Sequence, residues 1–283
     1  MFRLFARKND DPRAELKDLL GDFEIPCMPS RAIRLLGLLR DPETPMAEIA
    51  SQVEMDPGLS VRILQLVNSA AFGLLSQVSN LQHATSLLGR SRLESIVLAI
   101  AAGETLPKQM GCLDPQRFWE AAARRATLAR LLAQHLHAAT QAEAFTAGLL
   151  QDIAVPLLAG MNPDGYAGVL DRWHQEGDAE LDEGERDLFG YDHAIVGALM
   201  AEEWGLPEYL IQAVGGHHSK NGEADVDPAV RLVALLKYDP ENDGRERVLA
   251  EAESTFGIDR SLAEEMMDRA FADAGQVAGM FCA

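Results

Sequence analysis

The sequence is poor in basic residues relative to acidic ones. It has 25 lysines and arginines against 44 aspartates and glutamates, which gives a formal net charge of −19. Nucleic acid is a dense polyanion, so a surface of this charge repels it unless a local basic face exists. The chain has no basic run longer than scattered pairs such as Arg124 and Arg125. The charge therefore disfavours a nucleic-acid partner.

Cysteines and long apolar runs are also scarce. Cys27, Cys112 and Cys282 are far apart and have no paired spacing, which argues against a disulfide framework or a zinc knuckle and indicates a reducing, cytoplasmic location. No uninterrupted apolar stretch approaches the roughly 18 residues of a membrane span, so no span is predicted. Residues 1–11 are too short and too charged for a secretory signal, and we expect a frayed terminus there.

Apolar residues recur throughout at the three-to-four spacing of helices, and no alternating strand pattern persists. This predicts an all-α protein without internal repeats. Capping residues predict the helix starts, and two glycines, Gly89 and Gly205, predict helix ends. The predicted starts are Thr44 before Pro45, Asp56 before Pro57, Ser79 with Gln82, Ser91 with Glu94, and Asp192 before His193.

A break rich in glycine and proline at residues 107–115 divides the helices into two sets. We therefore predict a two-lobed helical bundle. Residues 1–19 form an N-terminal extension, 20–110 the first lobe, 111–240 the second lobe, and 241–283 a C-terminal helical extension.

The second lobe carries the residues best suited to chemistry. Asp152 lies in an apolar segment, His193 opens a helix, and His217 and His218 end the next helix. Imidazoles and a carboxylate from separate helices form metal sites in helical bundles. Such a metal would polarise a phosphate and activate water. Histidines at helix ends also serve as caps or hydrogen-bonded core groups, so spacing alone leaves both interpretations open.

Several segments in order resemble a known family. Residues 147–154 (AGLLQDIA) look like the signature helix of the HD phosphohydrolases, and residues 189–198 (FGYDHAIVGA), 204–207 (WGLP) and the histidine pair resemble the HDOD branch. Residues 56–60 (DPGLS) and 66–73 (LVNSAAFG) resemble the first lobe peculiar to that branch. The resemblance covers roughly residues 20–220. It implies an HDOD-specific lobe followed by an HD-like lobe, as in bacterial signalling proteins.

Departures from a working HD site decide the expected activity. The resemblance calls for a histidine near Ala121, a histidine at Gln151, and an aspartate where the alignment places Lys237. Glutamine is a poor ligand beside imidazole, and an ammonium group would repel a divalent cation. We therefore expect no enzyme activity, no cofactor and no two-metal centre. Asp152, His193, His217 and His218 remain as candidates that could still scavenge one ion.

The resemblance implies regulation through contacts with another signalling protein, which we expect to use both lobes and the groove between them. Two alternatives stay open: a residual metal-dependent phosphohydrolase or nucleotide-binding domain, and a helix–turn–helix DNA-binding regulator. Asn68 and Ser69 are weak candidates for a contact surface, because such residues more often bond local backbone. The acidic stretch 176–187 is either a solvated connection or a docking loop. The sequence leaves the oligomeric state open.

Overall fold

The computed structural model describes residues 12–21, 26–69, 77–175, 180–219 and 225–281. Throughout these ranges the regular structure is helical and no strand occurs. The predicted all-α class and two-lobed bundle are therefore confirmed, while the lobe boundaries stay a prediction.

The first lobe is built around one long helix. Its helices are α2 (Ser30–Arg40), α3 (Met46–Glu54), α4 (Pro57–Val67) and α5 (Leu81–Thr105), and the first three all pack against α5. Each buries one apolar face, for example Leu35, Leu36 and Leu39 of α2. This is the amphipathic pattern that the sequence indicated.

The second lobe surrounds α6 (Pro115–Leu136). After a short 3-10 turn (Ala138–Thr140) come α7 (Gln141–Leu150), α8 (Val155–Met161), α9 (Pro163–Gln175), α10 (Leu181–Phe189), α11 (His193–Glu203), α12 (Glu208–Gly216) and α13 (Pro228–Val233). Helices α7 and α13 pack on α6, and α5 of the first lobe packs on α7. One continuous apolar core therefore runs through both lobes.

Both chain ends of the described structure join the second lobe. Helix α1 (Pro12–Leu20) packs on α11 through the buried Leu16, and the Tyr191 hydroxyl donates to the Leu19 carbonyl at 2.8 Å. Helices α14 (Arg245–Phe256) and α15 (Arg260–Ala278) follow α13, and α15 packs along α6. Residues 1–11, for which a frayed terminus is predicted, lie outside the described ranges.

Two aspartate caps and both glycine breaks are confirmed. Asp56 accepts from the Leu59 N–H and Asp192 from the Ile195 N–H, each at 3.0 Å. Gly89 has a φ of 69° and interrupts α5, and Gly205 has a φ of 64° just after α11. Only glycine adopts this backbone conformation without strain.

Two of the other predicted caps were wrong by one residue. Pro45 holds the cap position of α3, and the Thr44 hydroxyl instead donates to Asp41 at 2.9 Å. Asn80 caps α5, accepting from the His83 N–H at 2.8 Å, where Ser79 was predicted. Adjacent polar residues compete for a cap, and small differences in backbone direction decide which one is used.

The stretch Ala138–Met161, which comprises the 3-10 turn, α7 and α8, passes the length and hydropathy criteria for a membrane-crossing helix. However, 89% of its most apolar 18-residue segment is buried within the fold. A core helix satisfies the same length and hydropathy test, and this stretch contributes the centre of the second lobe.

Candidate functional site

The four candidate ligands meet at one point of the second lobe. Asp152 follows α7, His193 opens α11, and His217 and His218 follow α12. The His193 Nε2 atom lies 3.1 Å from His217 Nε2 and 3.0 Å from His218 Nε2. The Asp152 Oδ1 atom is 3.5 Å from His217 Nε2 and 3.6 Å from His193 Nε2. The structure thus brings all four sequence-predicted residues together.

Two of the imidazoles are oriented by contacts at their Nδ1 atoms, on the side away from the cluster. His217 Nδ1 lies 2.7 Å from the Val214 carbonyl, which can only accept, so Nδ1 carries the proton and Nε2 presents a lone pair. His193 Nδ1 lies 2.5 Å from a carboxylate oxygen of Glu185. This carboxylate–histidine arrangement is the usual support of metal-ligating histidines. Nitrogen ligands 2.0–2.1 Å from a tetrahedral zinc ion are about 3.3 Å apart, so the cluster has nearly the spacing of a metal site.

Glu185, which was not among the predicted site residues, holds the His193 ring in place. It is fully buried on α10, where it accepts hydrogen bonds from the Tyr166 hydroxyl and, at 2.7 Å, from the His193 N–H. Burial alone would lower the pKa of His193, but the Glu185 carboxylate outweighs it and raises that pKa to about 9. The sequence feature that could have identified Glu185 is its position one turn after Leu181, on the buried face of a short helix.

Asp152 is held on its other side by a cation. Its Oδ2 atom lies 2.5 Å from Arg125 Nη1 and accepts from the Tyr238 hydroxyl at 2.6 Å. Burial would raise the pKa of Asp152, but the Arg125 guanidinium and the neighbouring imidazoles of His217 and His193 hold it well below its usual range. The carboxylate is therefore ionised, and only Oδ1 faces the histidines.

Arg125 was missed as a functional residue. It is 1% exposed on α6, one turn after Ala121, and also donates to the Leu236 carbonyl. Helix α7 can approach it because Gly148 has no side chain: a Cβ there would lie 2.9 Å from the Arg125 carbonyl oxygen. The available signal was an arginine among the buried alanines of α6, since a buried charge requires a partner.

The three positions that depart from a working HD site are all buried. Ala121 lies in the core, and both amide atoms of Gln151 lack a hydrogen-bond partner among the described residues. Lys237 is 2% exposed, but its ammonium donates to the Trp173 carbonyl on α9 and lies 5.9 Å from that indole ring. The cation beside Asp152 is Arg125. The ammonium of Lys237, which was predicted to repel a divalent cation at the position of a ligand aspartate, is bonded to α9.

Asn68 and Ser69 lie in the first lobe and bond backbone. The Asn68 amide donates to the Leu64 and Val78 carbonyls and accepts from the Val78 N–H, at 2.7–2.8 Å. The Ser69 hydroxyl donates to the Leu66 carbonyl at 2.6 Å. Residues 70–73 of the same motif lie outside the described ranges.

An open cleft of about 660 Å³ leads to His217 and His218. Its charged lining comprises Glu180, Asp182, Glu183, Asp192, Glu251, Arg186 and Arg231. Arg186 is neutralised by Asp182 and Asp192, at 2.9 and 2.5 Å. The predicted acidic stretch thus contributes to this cleft, although residues 176–179 lie outside the described ranges. Such a lining attracts cations and repels phosphates.

Comparison with known proteins identifies sequences and structures that are similar to this chain. The profile of the HDOD domain matches residues 25–220. An uncharacterised protein of Treponema pallidum (strain Nichols) is 24% identical over 226 residues, which are 78% of this chain and 43% of that protein. The chain therefore spans less than half the length of this curated relative.

Solved structures share the fold. A candidate phosphohydrolase of Shewanella amazonensis SB2B superposes with a TM-score of 0.72 at 24% identity, covering 98% of this chain and 99% of the other. An HDOD domain protein of unknown function from Geobacter sulfurreducens gives 0.68 at 20% identity, covering 95% and 96%. A candidate signal-transduction protein of Marinobacter aquaeolei VT8 gives 0.68 at 21% identity, covering 99% and 68%.

Proposed function

Because the chain belongs to the HDOD domain family, we propose that it is a signalling domain that acts through contacts with another protein and does not hydrolyse phosphate esters. The observation that carries this proposal is the Arg125 guanidinium on Oδ2 of Asp152. An arginine cannot lose its proton in a protein, so this oxygen is closed to a metal ion.

A two-metal centre needs a carboxylate that reaches both ions and further ligands around each one. Asp152 offers one free oxygen, and Ala121 and Gln151 contribute no imidazole. The remaining donors are three histidine Nε2 atoms and Asp152 Oδ1. The three histidines lie close enough together to hold one ion of the zinc type. We propose Asp152 Oδ1, which lies 3.5–3.6 Å from two of them, as the fourth ligand.

Four protein ligands complete a tetrahedral site, as in structural zinc centres, whereas catalytic zinc keeps a position open for water or substrate. A bound ion would neutralise the crowded site and connect α7, α11 and α12. We therefore assign any metal here a stabilising role.

A second candidate function is single-metal phosphohydrolysis, and the cleft that exposes His217 and His218 favours it. Its lining opposes this candidate, because five carboxylates against Arg186 and Arg231 leave net negative charge on the path of a phosphate ester to the ion. The net charge of −19 also opposes the DNA-binding alternative, because DNA is a polyanion. The acidic cleft does not support DNA binding either.

Hydrolysis is tested with protein loaded with Mn²⁺, Fe²⁺ or Zn²⁺ and assayed on p-nitrophenyl phosphate, its diester and cyclic dinucleotides. The His193→Ala variant serves as the matched blank. We expect no turnover above that blank and at most one ion per chain by elemental analysis. Two ions per chain, or turnover that His193→Ala abolishes, would overturn the proposal.

The protein contact is tested separately, by capture of partners from the native cell extract. With a net charge of −19, we expect a partner with a basic patch, whose association rate falls with salt while its dissociation changes less. Rates for the purified partner across a salt series measure this. Retention of nucleic acid or a nucleotide in place of a protein would contradict the proposal.

A further inference from the structure

A small cavity of about 50 Å³ lies at the junction of the two lobes, away from the histidine cluster. Helix α5 contributes Arg92 and Ser95 from the first lobe, and α6 and α7 contribute Arg130 and Gln141 from the second. Several water molecules, or a group the size of a phosphate, fill a space of this volume.

The guanidinium of Arg130 is partly buried at this cavity. Its Nε and Nη2 atoms are buried, and neither has a hydrogen-bond partner in the described part of the chain. Arg92 is exposed beside it and forms no ion pair with a described residue. Burying two donors of a charged group without a described partner is costly, and an anion in the cavity would satisfy them.

The surroundings of Arg130 are positive although the protein as a whole is acidic. Burial and the nearby guanidinium groups of Arg269 and Arg92 lower the pKa of Arg130, and only Asp273 on α15 opposes them among its main neighbours. Asp273 is not within ion-pair distance of Arg130, and its buried Oδ2 atom has no hydrogen-bond partner among the described residues. One carboxylate does not balance three arginines.

We propose that this cavity binds phosphate or the phosphoryl group of a small molecule, held between Arg92 of the first lobe and Arg130 of the second. Guanidinium groups bind phosphate oxygens through paired, charge-assisted hydrogen bonds, and Gln141 adds a neutral donor. Because its ligands come from both lobes, the bound anion ties α5 to α6 and α7. The junction of a signalling domain thereby becomes sensitive to a small ligand.

Inorganic phosphate is the probe, titrated into the full chain at constant ionic strength and followed by calorimetry and ³¹P NMR. The variants are Arg92→Gln and Arg130→Met, with Arg34→Gln, an exposed arginine of α2, as the matched control. We expect one site in the wild type and in Arg34→Gln, and binding at least about tenfold weaker in each cavity variant. Phosphorylated metabolites titrated in parallel show whether a larger ligand binds more tightly than the free ion.

Two further measurements exclude a trivial loss of fold. Arg130→Met should unfold at the same or a higher denaturant concentration than the wild type in phosphate-free buffer, because methionine replaces a partly buried cation that has no described partner. Asp273→Asn should bind phosphate more tightly, because it removes the opposing carboxylate. Equal phosphate binding by the wild type and both cavity variants would overturn the site. So would no binding by the wild type at about 10 mM phosphate, or no gain in Asp273→Asn.

Discussion

Replacing Arg125 by methionine should destabilise the protein strongly. The change removes the guanidinium beside Asp152 Oδ2 and the donor to the Leu236 carbonyl, and leaves a buried carboxylate with the Tyr238 hydroxyl as its remaining partner on that oxygen. Breaking a buried ion pair from one side costs about 3–5 kcal/mol. At about 2–4 °C per kcal/mol for a chain of this size, the unfolding midpoint should fall by roughly 6 to 20 °C.

The measurements are urea unfolding for the free energy and thermal unfolding for the midpoint, both followed by circular dichroism in buffer with a chelator so that bound metal does not mask the loss. The double variant Arg125→Met/Asp152→Asn isolates the electrostatic part, because it removes the charge that the single variant leaves buried. We expect the double variant to regain a large share of the lost free energy of unfolding.

The reasoning would be refuted if Arg125→Met unfolded within about 1 kcal/mol of the wild type. It would equally fail if the double variant were no more stable than Arg125→Met alone. That result would mean that lost packing of the arginine stem, rather than an unpaired Asp152, explained the change.

Three further outcomes are expected. Chelation should lower the thermal midpoint of the metal-loaded wild type and of His135→Ala, an exposed control, but leave His217→Ala unchanged; equal effects in all three would exclude the cluster as the ion's site. Glu185→Gln should weaken Zn²⁺ binding about 10- to 100-fold in a competition titration, because His193 loses its carboxylate support; unchanged affinity would contradict that role. Gln151→Met should raise the free energy of unfolding by about 1 kcal/mol, since it removes a buried amide with no described partner; a loss of stability in urea would show that the amide is satisfied.

The helices and their ends were largely predictable from local sequence. Asp56 and Asp192 cap helices through hydrogen bonds that span three residues, and Gly89 breaks α5 through its own backbone conformation. Such interactions depend on few neighbours, so the sequence pattern reports them directly. The misassigned caps at Thr44 and Ser79 are errors of one residue within the same signal.

The chemical inventory of the site was also visible in the sequence. Asp152, His193, His217 and His218 stand in segments that resemble one family, and the structure brings them within hydrogen-bonding or ion-pair distance. Residue type and order were sufficient to predict these four residues, because they lie in segments that resemble the family's motifs.

Only the tertiary structure decided what surrounds Asp152. Arg125 is 27 residues earlier in the chain, and it reaches the carboxylate because α6 and α7 pack closely at Gly148. Lys237, which the alignment places where a ligand aspartate belongs, donates to the Trp173 carbonyl on α9. The identity of a buried charge's partner depends on which helices touch and how their side chains are directed. Neither is encoded in local spacing, because the energy of an ion pair depends on distance in space and not on separation along the chain.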